Sequence, residues 1–258
     1  MKKVILLLSL AFAFCANAQS TDSTAICQGL FTVSADVQVR FSPGNLQYQP
    51  STNLWRFATE QTETIVWQSN FAKYHYKGWI DLFGWGTGMN PTNFSLRNQD
   101  YSFVDWGSFC GLPTNGGKRW RVLSMDEWTY LLSKRPNARR LYAIAYINKQ
   151  YGLILLPDNW KCPKGVWVKP GPKEDQANWY TLEQWAKLQA AGAVFLPAEG
   201  KRVGTELQGS ASCCHYWTST ASTKKNDQAL YLLLNAFVPS GQTADKHYGF
   251  SVRLVQEM

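Results

Sequence analysis

The side chains best suited to chemistry in this chain are three histidines, six cysteines and two well-placed glutamates. His75, His215 and His247 each adjoin a tyrosine and lie far apart, and none belongs to an H-E-x-x-H spacing that would put two imidazoles on one helix face. Cys214 beside His215 does not make a nucleophile and base, because successive side chains on a strand point to opposite faces. Gly84, Gly86 and Gly88 imitate a phosphate-cradling loop, but Met89 stands where its third glycine belongs and no helical pattern follows. Glu127 fits a helix cap, and nothing in the sequence brings it to Glu199 as a glycosidase acid and base would require. No G-x-S-x-G elbow occurs. These patterns predict no catalytic residue, no metal site and no cofactor.

The cysteines point to a compartment rather than to a reaction. Lys2 and Lys3 precede an apolar run from Val4 to Ala16, and Ala16-Asn17-Ala18 matches a signal-peptidase site, so residues 1–18 are expected to be a cleaved export signal. Cys15 would suit a lipid anchor, but the bulky Phe14 before it stands where a lipobox needs a small residue. Export would place the protein in the periplasm, on the outer surface or outside the cell. Cys27, Cys110, Cys162, Cys213 and Cys214 then remain, an odd number, so at least one thiol stays unpaired within the chain. No pair has C-x-x-C spacing, which leaves zinc and dithiol chemistry unsupported. Their disulfide pairing stays open.

Twelve Trp, 12 Tyr and 13 Phe make up 14% of the chain against 17% charged residues, a balance that excludes a disordered or coiled-coil protein. The formal charge of +8 is scattered over many short positions rather than gathered into a stripe, so nucleic acid is not an expected partner. Beyond the leader no segment offers 18 uninterrupted apolar residues, and no membrane-spanning helix is expected.

The elements that must position any site can be read along the chain. Val37, Val39 and Phe41 alternate before Pro43-Gly44-Asn45, and LQYQ and LWRFA flank a second turn at 50–53, a pattern predicting a hairpin or meander. An aromatic block at 74–88 leads into a long loop reaching about Gly117. Ser124 with Glu127 and Thr181 with Gln184 predict the starts of two helices through capping boxes. Each helix precedes a short apolar strand ending in Leu-Pro, at 152–158 and 192–200, with a surface loop at 160–179 between the two units. Strands follow at 215–222, 229–238 and 248–255. In the middle one Leu230, Leu232 and Leu234 are expected in the core with Trp217, while Tyr231, Leu233, Asn235 and Phe237 share a mixed face free for solvent or ligand.

WRVLSMDEW at 120–128, LPAEGKR at 196–202, YWTSTAS at 216–222 and GFSVRLV at 249–255 resemble, in this order, exported proteins of Bacteroidetes and Fibrobacter that carry the Fibrobacter succinogenes major paralogous domain. RFSPGNLQYQPSTNLWRFA at 40–58 is similar to the amino-terminal part of the Bacteroides members. The resemblance implies an α+β, C-type-lectin-like fold, with small twisted antiparallel sheets flanked by two helices and long loops. It would form one domain over 31–258 after a short segment at 19–30. It also reaches distantly to formylglycine-generating enzymes and to retroelement variable proteins, whose diversified positions correspond to 212–247. The E-P-N, Q-P-D and W-N-D triplets of calcium-dependent lectins are absent, as are the R-G-G-S-W phrase and paired cysteines of the oxidases.

The expected function is therefore an exported, non-catalytic binding module for a protein or glycan ligand. His215, Tyr216, Lys224, Asn226, Tyr231, Asn235, Phe237, Lys246 and His247 are its candidate contacts, since amphipathic rings with polar ends suit binding surfaces. The second expectation is a structural or assembly component of the envelope, and the third an enzyme of unknown class.

Overall fold

Apolar alternation builds the first strands. β1 (Phe31–Thr32) and β2 (Gln38–Phe41) pair antiparallel with Phe31 opposite Val39, and Phe31, Val39 and Phe41 are all fully buried. The computed structural model describes residues 26–65, 76–171, 177–209, 214–224, 228–233 and 241–258. β3 (Leu46–Gln49) and β4 (Leu54–Phe57) form the hairpin expected around the 50–53 turn. A meander through Pro43-Gly44-Asn45 does not form, because the free edge of β2 is taken by the last residues of the chain. Gly44 instead crosses between sheets against Ala58, where a Cβ would sit 2.4 Å from the Ala58 carbonyl oxygen.

From residue 76 to residue 120 the chain runs as a long loop with three short 3-10 turns, fastened to strands by single bridges such as Tyr48 with Ile80. β5 (Arg121–Val122) then leads to α1 (Met125–Thr129), which continues as one π-helical turn over Tyr130–Lys134. Both halves of the capping box are present: the Ser124 hydroxyl accepts the Glu127 amide, and the Glu127 carboxylate accepts the Ser124 amide at 2.7 Å. β6 (Tyr142–Ile147) and β7 (Gln150–Leu155) form a hairpin whose two-residue turn, Asn148-Lys149, has φ of 46° and 71°. β6 is an addition to the expected strands; its turn lacks the Asn-Gly signal that marks such hairpins.

β8 (Asn178–Tyr180) adds to β6 in parallel, and α2 (Leu182–Ala190) follows through the Thr181 and Gln184 capping box. Gly192, at φ 96°, lets the chain turn out of α2 into β9 (Val194–Pro197), which pairs antiparallel with β7. The two helix-then-strand units thus end in neighbouring strands of one four-stranded sheet, ordered β8-β6-β7-β9.

β10 (Lys201–Val203) and β11 (Glu206–Gln208) make a small hairpin, and β12 (His215–Ala221), β13 (Gln228–Leu233) and β14 (Gly241–Asp245) make a three-stranded sheet. The expected regular strand over 248–255 is corrected. Gly249, Phe250 and Ser251 each bridge a different segment, at Arg202, Phe83 and Tyr216, before β15 (Leu254–Glu257) pairs with β2 and β5. Only Gly fits at 249, where a Cβ would meet the Arg202 side chain at 2.7 Å.

The architecture is mixed α+β, mostly small antiparallel sheets with few helices. No helix among the described residues is long and apolar enough to cross a membrane. Among the described residues, three apolar clusters fill the interior. One lies between β1, β2, α1 and the β6–β7 hairpin; a second gathers Trp85, Trp106, Trp120, Trp217, Phe83 and Phe250; a third lies between the β6-β7 sheet and α2.

One buried cation links the first cluster to its surroundings. Arg135, with a fully buried side chain, donates to the carbonyls of Leu131, Leu141 and Leu156 and to Asp158 Oδ1 at 2.9 Å. Asp158 Oδ2 accepts the backbone amide and hydroxyl of Thr32. The expected turn after β7 is present at 158–159, and its carboxylate ties β1 to the end of α1. Removing the guanidinium leaves several carbonyls and a carboxylate without their donor, so Arg135→Met is expected to lose about 3–5 kcal/mol in urea unfolding. A loss below about 1 kcal/mol would show that water replaces these bonds.

Candidate functional site

β12 is buried on both faces, and its alternation divides the expected contacts. His215 and Trp217 turn to one side, where Phe250 stacks on His215 at 4.9 Å between ring centroids with an interplanar angle of 20° and lies tilted against Trp217 at 4.4 Å. Tyr231 of β13 closes on the same group, 4.8 Å from Phe250 and 5.5 Å from His215. Ala229 and Tyr231 of β13 pack against the aromatic cluster, and Tyr231 stays half-buried at its surface.

Cations border these rings. Lys201 Nζ lies 4.6 Å from the Tyr248 centroid, and Lys246 Nζ lies 5.2 Å from that of Trp85, both within cation–π range. Tyr248 in turn meets His247 edge to face at 4.8 Å. His215 Nδ1 lies 3.1 Å from the Gly200 carbonyl, so that nitrogen carries a proton; His247 Nδ1 lies 2.9 Å from Asn98 Oδ1. Burial holds the His247 imidazole below its ordinary value, with Arg202 adding repulsion against the opposite pull of Asp245. Half-buried His215, Tyr231, Lys246, His247, Tyr248 and Lys201 thus form a ledge of rings and cations gathered from separate stretches of the chain.

Tyr216 does not belong to this ledge. It is 1% exposed on the opposite side of β12, where its hydroxyl donates to Pro197 O at 3.0 Å and accepts from Asn45 Nδ2 at 3.1 Å. This corrects its expected role as a ligand contact: strand alternation sends it inward beside Glu199. Lys224 is exposed beyond the end of β12 and joins none of the ring contacts above. Asn226, Asn235 and Phe237 lie outside the described residues, as do His75, Cys213 and Leu234. Lys201, Tyr248, Phe250 and Trp85 were not among the expected contacts, and the alternation of Tyr248 and Phe250 around a glycine was the available signal for the first pair of rings.

Beneath the ledge lies a buried polar network. Glu199, 2% exposed, accepts from the Ser251 hydroxyl at 2.8 Å and lies 3.4 Å from Asn45 Nδ2. Burial pushes its carboxyl well above the usual carboxylate range, and the neighbouring Asp81, within hydrogen-bond reach, pushes it further. Burial and the neighbouring carboxylate both favour the protonated form of Glu199. Arg253 extends the network, donating to Gln61 Oε1 at 2.8 Å, which also accepts the Phe195 amide. Cys27, its thiol pushed up by burial, lies next to Arg253 and donates to Ser42 O at 3.3 Å. Cys27, Cys110 and Cys162 are free thiols. Among the described residues no three metal-ligating side chains come together.

Compared with known proteins, the sequence matches no family model, and no curated protein or solved structure matches it.

The raised carboxyl has a pH signature. The native state keeps the Glu199 proton above pH 4.5, the ordinary value at which the unfolded chain releases it, so this group's contribution to stability falls as pH rises from there toward its native value. Glu199→Gln keeps the neutral shape and removes the titration. The stability difference between variant and wild type is expected to shift in favour of the variant as pH climbs from about 5 to about 8, read by thermal unfolding. Parallel curves would show that Glu199 ionises normally.

Proposed function

We propose that the chain is an exported, non-catalytic binding module of C-type-lectin-like fold, which recognises a protein or glycan ligand through the ledge on the β12–β14 sheet. The fold reading is supported by the pairing of the first and last strands through β2 and β15, two short helices, and the long loop over residues 76–120. The export reading rests on the amino-terminal sequence, and the non-catalytic reading on the sequence patterns and on polar groups already engaged with one another.

One observation carries the binding site: Lys201 and Lys246 stand over Tyr248 and Trp85 beside the half-buried rings of His215 and Tyr231. Stacked rings hold their shape at little entropic cost and offer apolar faces, while the ammonium groups offer donors. Such a ledge suits ligands rich in acceptors, either acidic side chains of a protein or the hydroxyls and carboxylates of a glycan. Buried Tyr216, Glu199 and Ser251 fix β12 from below, so the rings are preorganised.

Purified mature protein probed on glycan and protein arrays is expected to give a ligand at micromolar concentration. Lys201→Ala should weaken that ligand at least about tenfold while leaving the unfolding midpoint nearly unchanged, and Tyr248→Ala should weaken it similarly in protein that circular dichroism shows to be folded. No array ligand together with stable self-association would favour an assembly component of the envelope.

A further inference from the structure

Among the described residues, two of the most exposed large apolar side chains are tryptophans, Trp167 at 74% and Trp179 at 67%, and they line one cleft of about 340 Å³ with Lys169 and Gln184. Their exposure follows from alternation. In the extended segment before residue 171, Val166 and Val168 turn into the third apolar cluster, so Trp167 and Lys169 turn outward. In β8, Asn178 and Tyr180 are buried and Trp179 faces out.

The two segments are fastened to each other by those buried neighbours. Asn178 accepts the Lys169 amide at 2.8 Å through Oδ1, and its Nδ2 donates to Lys169 O at 2.9 Å and Ile144 O at 3.1 Å. The Tyr180 hydroxyl donates to Trp167 O at 2.7 Å. Trp179 stacks on Tyr146, its register partner on β6, with centroids 4.1 Å apart and planes within 10°. The Trp179 indole and the backbone that carries Trp167 are thus held in place before any ligand arrives, and an exposed apolar pair in a cleft of ligand size is suited to binding.

The polar groups around the indoles select the ligand. Lys169 Nζ, the Gln184 side-chain amide and the two indole N–H groups are all donors, and among the described residues none meets a chain acceptor; Gln184 Oε1 is already taken by the Thr181 amide. A ligand must therefore combine an apolar face for the indoles with acceptor oxygens at its edge. The lysine repels quaternary ammonium groups, which an aromatic pair would otherwise attract. A purely aliphatic segment would leave the donors without partners. We propose that this cleft binds a glycan, one pyranose ring lying on Trp179 or Trp167 with its hydroxyl or carboxylate oxygens on Lys169 and Gln184. The site stands on the β8-β6-β7-β9 sheet, apart from the β12–β14 ledge, and does not rest on the function proposed for that ledge.

The test uses the full mature chain and a panel of soluble oligosaccharides: cello-, xylo-, manno- and chito-oligosaccharides and oligogalacturonate. Intrinsic tryptophan fluorescence and calorimetry are expected to show saturable binding of at least one of them. Trp179→Ala and Trp167→Ala should each weaken it at least about tenfold, and Lys169→Ala should weaken an acidic sugar more than a neutral one. Sugar binding that Lys201→Ala and Tyr248→Ala weaken, but the tryptophan variants do not, belongs to the ledge and not to the cleft. Met89→Ala removes another exposed apolar side chain outside the cleft and is the control. Far-UV circular dichroism confirms that each variant folds. The proposal is overturned if no sugar of the panel binds at millimolar concentration, if binding survives both tryptophan substitutions, or if the cleft takes an apolar peptide instead.

Discussion

The burial of the Glu199 carboxyl beside Asp81 is the constraint on which the arrangement of this protein depends. An ionised carboxylate buried next to Asp81 would face both a desolvation cost and a like charge, and holding a proton relieves both. The consequences spread through the hydrogen bonds it keeps. Ser251 lies in the stretch that bridges β12, Asn45 lies where the chain crosses between the first two sheets, and Tyr216 joins Asn45 to the end of β9. Five chain segments distant in sequence meet at one buried carboxyl pair. Small sheets of two to four strands carry little cohesion individually, so polar ties of this kind specify how they sit together.

The aromatic excess works in the same direction. Trp85 donates its indole N–H to Thr218 O, Trp217 to Phe83 O and Trp120 to Pro113 O, each between a loop and a strand or within the loop's own closure. Their rings fill the second apolar cluster with Phe83 and Phe250. A long irregular loop has no ladder to satisfy it, and these large rings with one polar handle supply burial and a hydrogen bond together. The same residue type, turned outward by alternation at Trp167 and Trp179, becomes a surface for a ligand.

Local signals in the sequence carried well where the chemistry was local. Both capping boxes, the β3–β4 turn and the coupling of each helix to an apolar strand need only a few adjacent residues, and all stand in the structure. What depended on distant partners was not legible. The Pro43-Gly44-Asn45 turn failed to make a hairpin because β15, over 200 residues away, occupies β2; β6 was missed because Asn148-Lys149 adopts positive φ without a glycine. The candidate contacts divided along the same line. His215, Tyr231, Lys246 and His247 gather on one ledge, yet Tyr216 turns inward to a network that no spacing announces, and Lys201 arrives from another hairpin altogether.

The protonation of Glu199 can be observed directly through the side-chain carboxyl carbons of protein labelled with carbon-13 glutamate, followed by NMR from about pH 4 to about pH 8. One carboxyl signal, absent from Glu199→Gln, is expected to keep its protonated shift well beyond the point where the other glutamates have titrated. If every glutamate carbon instead titrates near the ordinary value, the buried pair holds no proton, and the tie that joins these sheets is not the one described.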